Sequence, residues 1–136
     1  MADKVLTFHT EKVDGNTAYI GAAYYMEADC EKVAVRIHAA TAPNNGDAQF
    51  DIEVEGASII RDRKDYVIQQ MGVASTFNQT ATTTIILPKG DNYEEMAGDF
   101  ASDAAIGEGS WVRCKLVNAN GANNITVQLE LDAIDG

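Results

Sequence analysis

The sequence GSWVRCKLVNANGANNITVQLELD, residues Gly109 to Asp132, contains two alternating runs on either side of a turn-forming centre. In the second run the apolar side chains fall at every other position: Ile125, Val127, Leu129 and Leu131. Because the side chains of a strand alternate between its faces, this run predicts a strand with one buried face. The first run places Val112, Cys114 and Leu116 on one face and Trp111, Arg113, Lys115 and Val117 on the other. Between them, Asn120-Gly121 supplies the positive φ angles of tight turns, so the stretch predicts a β-hairpin packed against another sheet.

The same alternation occurs upstream. The run 30–40 predicts a strand with Val33, Val35, Ile37 and Ala39 inward and Lys32, Ala34, Arg36 and His38 outward. The run 49–55 predicts another, with Phe50, Ile52 and Val54 inward and Asp51, Glu53 and Glu55 outward. The loop 41–47 between them is rich in turn residues, so we expect a second hairpin. Further strands are expected at 4–10, 17–26, 66–71 and 82–87.

One stretch departs from this period. Tyr93, Met96, Ala97 and Phe100 fall at i, i+3, i+4 and i+7, behind a capping Asp91 or Asn92. This spacing predicts one short helix near residues 91–100. The fold class is therefore all-β: a single-domain antiparallel β-sandwich or jelly roll over residues 1–136. Residues 1–10 are expected to form an N-terminal strand or arm, and residues 72–105 an insert that contains the helix.

Charge and hydropathy exclude several classes of partner. The formal net charge is −11, which opposes binding to nucleic acid and to an anionic membrane surface. No apolar run approaches the roughly 18 residues of a membrane helix, and no secretory signal precedes the first strand. We therefore expect synthesis in a cytoplasm, no nucleic-acid partner and no membrane partner.

No catalytic motif or metal-ligand spacing occurs in the chain, which predicts a protein that is not an enzyme and has no cofactor or metal. Cys30 and Cys114 are expected to be buried thiols, with a disulfide as the alternative if their strands are adjacent. His9 and His38 fall on outward faces and are expected to be solvated. The acidic side chains between 91 and 103 are expected to form a solvated face, with a cation site as the alternative.

Four aromatic residues have two interpretations. Tyr19, Tyr24, Tyr25 and Trp111 are expected in the core or a subunit interface. The alternative is an aromatic platform for sugar rings.

Three motifs together carry a family resemblance. These are the loop Thr41-Ala42-Pro43…Gly46 between 33–37 and 50–54, the strand-and-glycine run FDIEVEGASI at 50–59, and the ending GSWV…GANNITVQLEL. Their order, from Thr17 to Leu131, resembles the small β-sandwich domains of tailed-bacteriophage virion proteins. That group includes capsid decoration (cement) proteins, head fibres and tail-appendage tips.

The resemblance implies a structural virion protein: a decoration protein that binds the outer surface of a phage head and stabilises it. The implied partners are the major capsid protein and two further copies of this chain in a homotrimer. The implied location is the virion, after synthesis in the host bacterial cytoplasm. The chain shows no shaft or coiled coil, which favours a decoration protein over a fibre tip. Candidate capsid or subunit contacts are Lys4, Leu6, Phe8, Pro43, Asn44, Asn45, Phe77 and Trp111.

The alternative is a receptor- or carbohydrate-binding tip domain of a tail fibre or appendage. That function predicts a surface aromatic cluster with adjacent Asp or Asn side chains, and measurable affinity for a glycan.

Overall fold

A computed structural model describes residues 4–11, 18–60, 85–97, 100 and 104–134. Within these ranges the chain forms nine β-strands and no helix. The strands are β1 (Lys4–Thr10), β2 (Ala18–Tyr25), β3 (Cys30–Thr41), β4 (Ala48–Val54), β5 (Ala57–Ser58), β6 (Ile85–Leu87), β7 (Tyr93–Met96), β8 (Trp111–Asn118) and β9 (Asn123–Ala133).

The strands make two antiparallel sheets. The β9 sheet has the order β1-β9-β3-β7, and the β8 sheet has the order β2-β8-β4-β5, with β6 also paired to β4. Their inner faces bury the apolar set predicted from the alternation, including Phe50 and Ile52 from one sheet and Val127 and Leu129 from the other, all at 0% exposure. The predicted all-β sandwich class is confirmed.

The two predicted hairpins are wrong. β8 and β9 do not pair with each other but lie in opposite sheets, and β3 and β4 are separated in the same way. Alternation identifies the face that a strand buries but does not choose its hydrogen-bonding partner. In a sandwich, two successive apolar faces can bury each other across the core, and here the connections 119–122 and 42–47 carry the chain between sheets.

The two crossing connections contact each other at one end of the sandwich. The backbone N–H of Asn44 donates to the Asn120 carbonyl at 2.8 Å, and the Asn120 side-chain amide donates to the Asp47 carbonyl at 2.6 Å. Gly121 follows with φ of 96°, a backbone conformation that favours glycine. These hydrogen bonds join the two connections through which the chain crosses from one sheet to the other.

The predicted helix near residues 91–100 is also wrong. Tyr93–Met96 forms β7, which pairs antiparallel with β3 in the register Val35↔Met96 to His38↔Tyr93. Pairing with the edge of β3 satisfies the backbone groups of this segment and overrides its helical spacing. The predicted strand 66–71 and the first part of the 72–105 insert lie outside the described residues.

A β-bulge shifts the predicted faces at the start of β3. Lys32 pairs with Leu131 and Ala34 with Glu130, which leaves Val33 as an extra residue. An extra residue moves the alternation by one position. Lys32, predicted outward, is consequently paired with the buried Leu131, and Val33, predicted inward, is only half-buried. Beyond the bulge, Val35 and Ile37 are buried as predicted; Ala34 is buried too, although its partner Glu130 lies on the outer face.

Candidate functional site

The outer face of the β8 sheet exposes three aromatic side chains. Tyr19 and Tyr25 on β2 are 42% and 51% exposed, and Trp111 on β8 is 50% exposed. Large apolar rings that remain in water on one sheet face mark a binding surface. This surface is called the aromatic face, and it comprises Tyr19, Tyr25 and Trp111 with the charged side chains Glu53, Glu55 and Arg113.

Strand register fixes one end of the aromatic face. Tyr25 is directly opposite Trp111 in the β2–β8 pairing, and their rings meet edge to face, with centroids 5.2 Å apart and planes at 61°. On the other side of Trp111, its backbone N–H donates to the Glu55 carboxylate at 2.7 Å. This row therefore places a two-ring platform next to a carboxylate.

Arg113 and Tyr19 form a second part of the face. The Arg113 guanidinium carbon lies 3.7 Å from the centroid of the Tyr19 ring, a stacking distance. The Tyr19 hydroxyl donates to the Glu53 carboxylate at 2.7 Å. This hydrogen bond raises the pKa of Tyr19, because ionisation would remove the donor and place two negative charges together. The ring is thus held from its hydroxyl end and from one face.

Asp51 and Glu53 lie on the outer side of β4, as predicted, yet they are only 7% and 9% exposed. The Asp51 carboxylate accepts a hydrogen bond from the Ser58 hydroxyl at 2.6 Å, and Lys115 is its cross-strand neighbour. Burial raises the pKa of Asp51, and the nearby Glu53 charge adds to that effect. The carboxylates therefore form a fixed, partly dehydrated floor beside the exposed rings.

The aromatic face is elongated. Tyr25 lies opposite Trp111, and Tyr19 lies opposite Lys115 on the same strand. Lys115 lies four positions beyond Trp111 on β8, which corresponds to about 13 Å at a rise of ~3.3 Å per residue. A surface of this length suits a ligand made of several linked rings better than a ligand with a single ring.

Sequence reasoning left two positions open for these aromatic residues, the core or a subunit interface and an exposed platform. Tyr24 does pack, with its ring edge-on to Phe8 at 5.3 Å and its hydroxyl donating to the Thr7 carbonyl at 2.6 Å. Tyr19 and Tyr25 instead point outward, because they alternate with Ile20 and Tyr24, whose partners Cys114 and Val112 are buried. The register irregularity between Ile20 and Tyr24, where Gly21 adopts a φ of 67°, leaves this alternation unchanged.

The predicted contact residues do not form one patch. Leu6 and Phe8 are 4% and 0% exposed and belong to the core. Pro43 is buried, Lys4 is half-buried, and Asn44 and Asn45 are exposed on the 42–47 connection. Trp111 is part of the aromatic face, and Phe77 lies outside the described residues.

The remaining chemical candidates lie outside the aromatic face. Cys30 and Cys114 are both buried free thiols, and burial raises the pKa of the Cys114 thiol, which keeps it protonated. His9 and His38 are exposed, as predicted. Among the described residues, no group of three His, Cys, Asp or Glu side chains could hold a metal ion; Asp99 and Asp103 of the acidic stretch lie outside them. None of the described elements is a helix long and apolar enough to cross a membrane.

Comparison with known proteins places the chain by fold. No protein-family model and no curated protein sequence matches it. It is similar to the crystal structure of the CBM36-1 domain of a multidomain xylanase from the hindgut metagenome of Trinervitermes trinervoides. The TM-score is 0.51 at 12% sequence identity, over 98% of this chain and 99% of that one. At this identity the likeness establishes a shared β-sandwich fold, and it does not indicate a bacteriophage virion family.

Proposed function

We propose that this protein is a non-catalytic carbohydrate-binding domain whose aromatic face binds an extended, uncharged glycan. The observation that carries the proposal is the exposure of Tyr19, Tyr25 and Trp111 along one strip of one sheet. Sugar rings present flat C–H surfaces that stack on aromatic rings, and stacking sites need such rings in water before the ligand arrives. The fold is shared with a carbohydrate-binding module, which supports the proposal without identifying the glycan.

The polar groups around the rings suit hydroxyl groups. Glu55 is exposed at one end and uses one carboxylate oxygen to accept from the Trp111 N–H, which leaves the other oxygen to accept from a sugar. Arg113, stacked on Tyr19, provides several N–H donors in a fixed plane. Donors and acceptors alternate along the strip, as recognition of a polyol requires.

The charge of the protein restricts the class of glycan. With a net charge of −11, the domain repels polyanionic polysaccharides at moderate ionic strength. Glu53 and Glu55 add negative charge at the site itself. Neutral polymers are the ligands that this surface accepts at least electrostatic cost.

Affinity electrophoresis in gels containing xylan, mixed-linkage β-glucan or galactomannan tests the proposal, with polygalacturonate as the charged comparison. At least one neutral polymer is expected to retard the protein, and polygalacturonate is not. Trp111→Ala is expected to weaken the retarding interaction about tenfold or more, because an aromatic anchor contributes a large share of binding free energy.

Val5→Ala is the matched control. Val5 is 47% exposed and lies on β1 in the other sheet, so its truncation removes exposed apolar surface away from the aromatic face. Its retardation should equal that of the wild type. Equal retardation of wild type, Trp111→Ala and Tyr25→Ala, or no retardation by any neutral polymer, would refute the proposal.

The capsid-decoration role stays a prediction. The side chains of Leu6 and Phe8, two of its predicted contacts, are held in the core, so β1 could meet a shell only through outward residues such as Val5 and Thr7. Co-sedimentation with empty phage capsids separates the two functions: a decoration protein pellets with the shells and raises their heat resistance, and a glycan-binding domain does neither.

A further inference from the structure

The side of the molecule opposite the aromatic face carries a depression that is not part of the proposed glycan-binding surface. It has a volume of about 290 Å³ and lies on the outer face of the β9 sheet. Its lining side chains are Arg36, His38, Tyr93, Thr126 and Gln128, with Ile37 from the buried side of β3. Depressions that bind small ligands typically run from roughly 300 to 1,000 Å³, so this one fits a single-ring ligand.

Cross-strand register assembles the lining from β3, β7 and β9, and β1 borders it through His9. His9 and His38 both pair with Thr126, and His38 also pairs with Tyr93. One row therefore runs from the edge strand β1 to the edge strand β7. The neighbouring row contains Gln128, Arg36 and Glu95 in the same order across β9, β3 and β7.

The charged member of the lining is already neutralised. The Arg36 guanidinium is bonded to the Glu95 carboxylate at 2.9 Å and to the Glu130 carboxylate. These partners fix its plane and compensate its charge, so the depression is not built for an anion. A guanidinium has five N–H donors, and those not taken by the two carboxylates remain for a neutral acceptor.

The other lining side chains can form hydrogen bonds and have few hydrogen-bond partners within the described part of the protein. The Thr126 hydroxyl lies 2.9 Å from Nδ1 of His9, which orients it. Among the described residues, neither the Gln128 amide nor the His38 ring has a hydrogen-bond partner in the protein. Tyr93, which is 51% exposed, supplies a flat apolar surface on β7. The site thus combines one ring face with a cluster of uncharged donors and acceptors.

We propose that this depression is a second carbohydrate site, which takes one uncharged sugar ring against Tyr93 with hydroxyl groups bonded to Gln128, Thr126 and Arg36. The inference rests on the proposed glycan-binding function and extends it. Because the two sites lie on the outer faces of opposite sheets, the domain is bivalent. A single copy can then hold a polymer on the aromatic face and a terminal or branching sugar on the other.

Amide NMR titration with methyl glycosides of xylose, glucose, galactose and N-acetylglucosamine tests this site. A single-ring probe that binds here is expected to shift the backbone amides of His38, Thr126 and Gln128. In Tyr93→Ala and in Gln128→Ala these shifts should fall to a tenth or less at the same ligand concentration. Val5→Ala is the matched control and should retain them.

The same titration in a Trp111→Ala background distinguishes failure of this site from failure of glycan binding at the aromatic face. Shifts at Thr126 and Gln128 that persist there, while gel retardation is lost, support two separate sites. Shifts confined to amides of β8, shifts that survive both Tyr93→Ala and Gln128→Ala, or no shifts with any of the four probes would overturn the inference. If none of the four probes causes shifts but neutral polymers still retard the wild type, glycan binding by the aromatic face remains supported.

Discussion

Asp51 lies on the outer face of a strand and yet is removed from water. The alternation of β4 places its side chain opposite the core, and the sequence predicted that correctly. Its carboxylate is bonded to the Ser58 hydroxyl, and Lys115 is its cross-strand neighbour; alternation carries no information about such neighbours. Strand period therefore predicts the direction of a side chain but not its contact with solvent.

The desolvation of Asp51 gives a pH-dependent prediction. Its pKa in the folded protein is raised above the ordinary value of 3.8 by burial, with Glu53 raising it further and Lys115 and the Ser58 hydrogen bond opposing the shift. The folded state therefore binds this proton more tightly than the unfolded state. The stability that the carboxyl group contributes is lost as the pH rises through the raised pKa and is restored as the pH falls toward 3.8.

Asp51→Asn is consequently expected to increase the free energy of unfolding at pH 7, and the increase should disappear near pH 3. Urea unfolding of both proteins at the two pH values measures this. Glu31→Gln, at an exposed carboxylate, is the control and should change stability by less than about 0.5 kcal/mol. An Asp51→Asn protein that is no more stable than the wild type at pH 7 would contradict the assignment.

At the scale of elements, the face that a strand buries and the strand with which it pairs are determined by different parts of the sequence. The two runs around Gly121 show each predicted buried face, because a period of two needs only local sequence. The pairing of β9 with β1 and β3 joins residues more than eighty positions apart, and no local turn signal specifies it. The Tyr93–Met96 segment shows the same limit, since the edge of β3 decides its conformation.

The contact between the two crossing connections makes Gly121 a sensitive position. A Cβ atom there would lie 2.3 Å from Oδ1 of Asn44, in addition to the strain of a φ of 96°. Gly121→Ala is expected to cost about 1–3 kcal/mol for the backbone, with a smaller addition for moving the exposed Asn44 side chain. Denaturant unfolding measures the total.

Gly56→Ala is a matched control, because Gly56 has a φ of 84° with nothing within 4 Å of the added Cβ. It should show the backbone cost alone. Asn44→Ala should reduce the cost of Gly121→Ala toward that of Gly56→Ala in a double-mutant cycle. Equal costs for the two single glycine substitutions would mean that the connections do not press on each other.

At the scale of the whole molecule, the aromatic face could serve a glycan or another copy of the chain, and the predicted trimer makes this distinction necessary. A glycan site must stay open in any assembly. Trp111→Lys is therefore expected to leave the solution mass unchanged, whatever number of copies associates. Light scattering of both proteins checks this, and a fall to the 14.6 kDa of one chain would assign the face to a subunit contact.

The sites themselves were only partly accessible from the sequence. The sequence offered Tyr19, Tyr24, Tyr25 and Trp111 as a possible aromatic platform. The arrangement of Tyr19, Tyr25 and Trp111 on one face depends on the pairing of β2 with β8, which no local pattern specifies. The depression on the β9 sheet depends on three strands, β3, β7 and β9, coming into register from distant parts of the chain. Such a site is a property of the topology, and its members carry no common motif.

The central position of β9 has a consequence for synthesis. β9 lies between β1 and β3 in its sheet, but it is the last of the described strands to leave the ribosome. Until residues 123–133 emerge, β1 has no neighbour in its sheet, and Leu6 and Phe8 lack the β9 side chains beside them. During most of translation, Leu6 and Phe8 must therefore be kept from associating with other chains. β1 can pair within its sheet only after β9, the last of the described strands, has been synthesised.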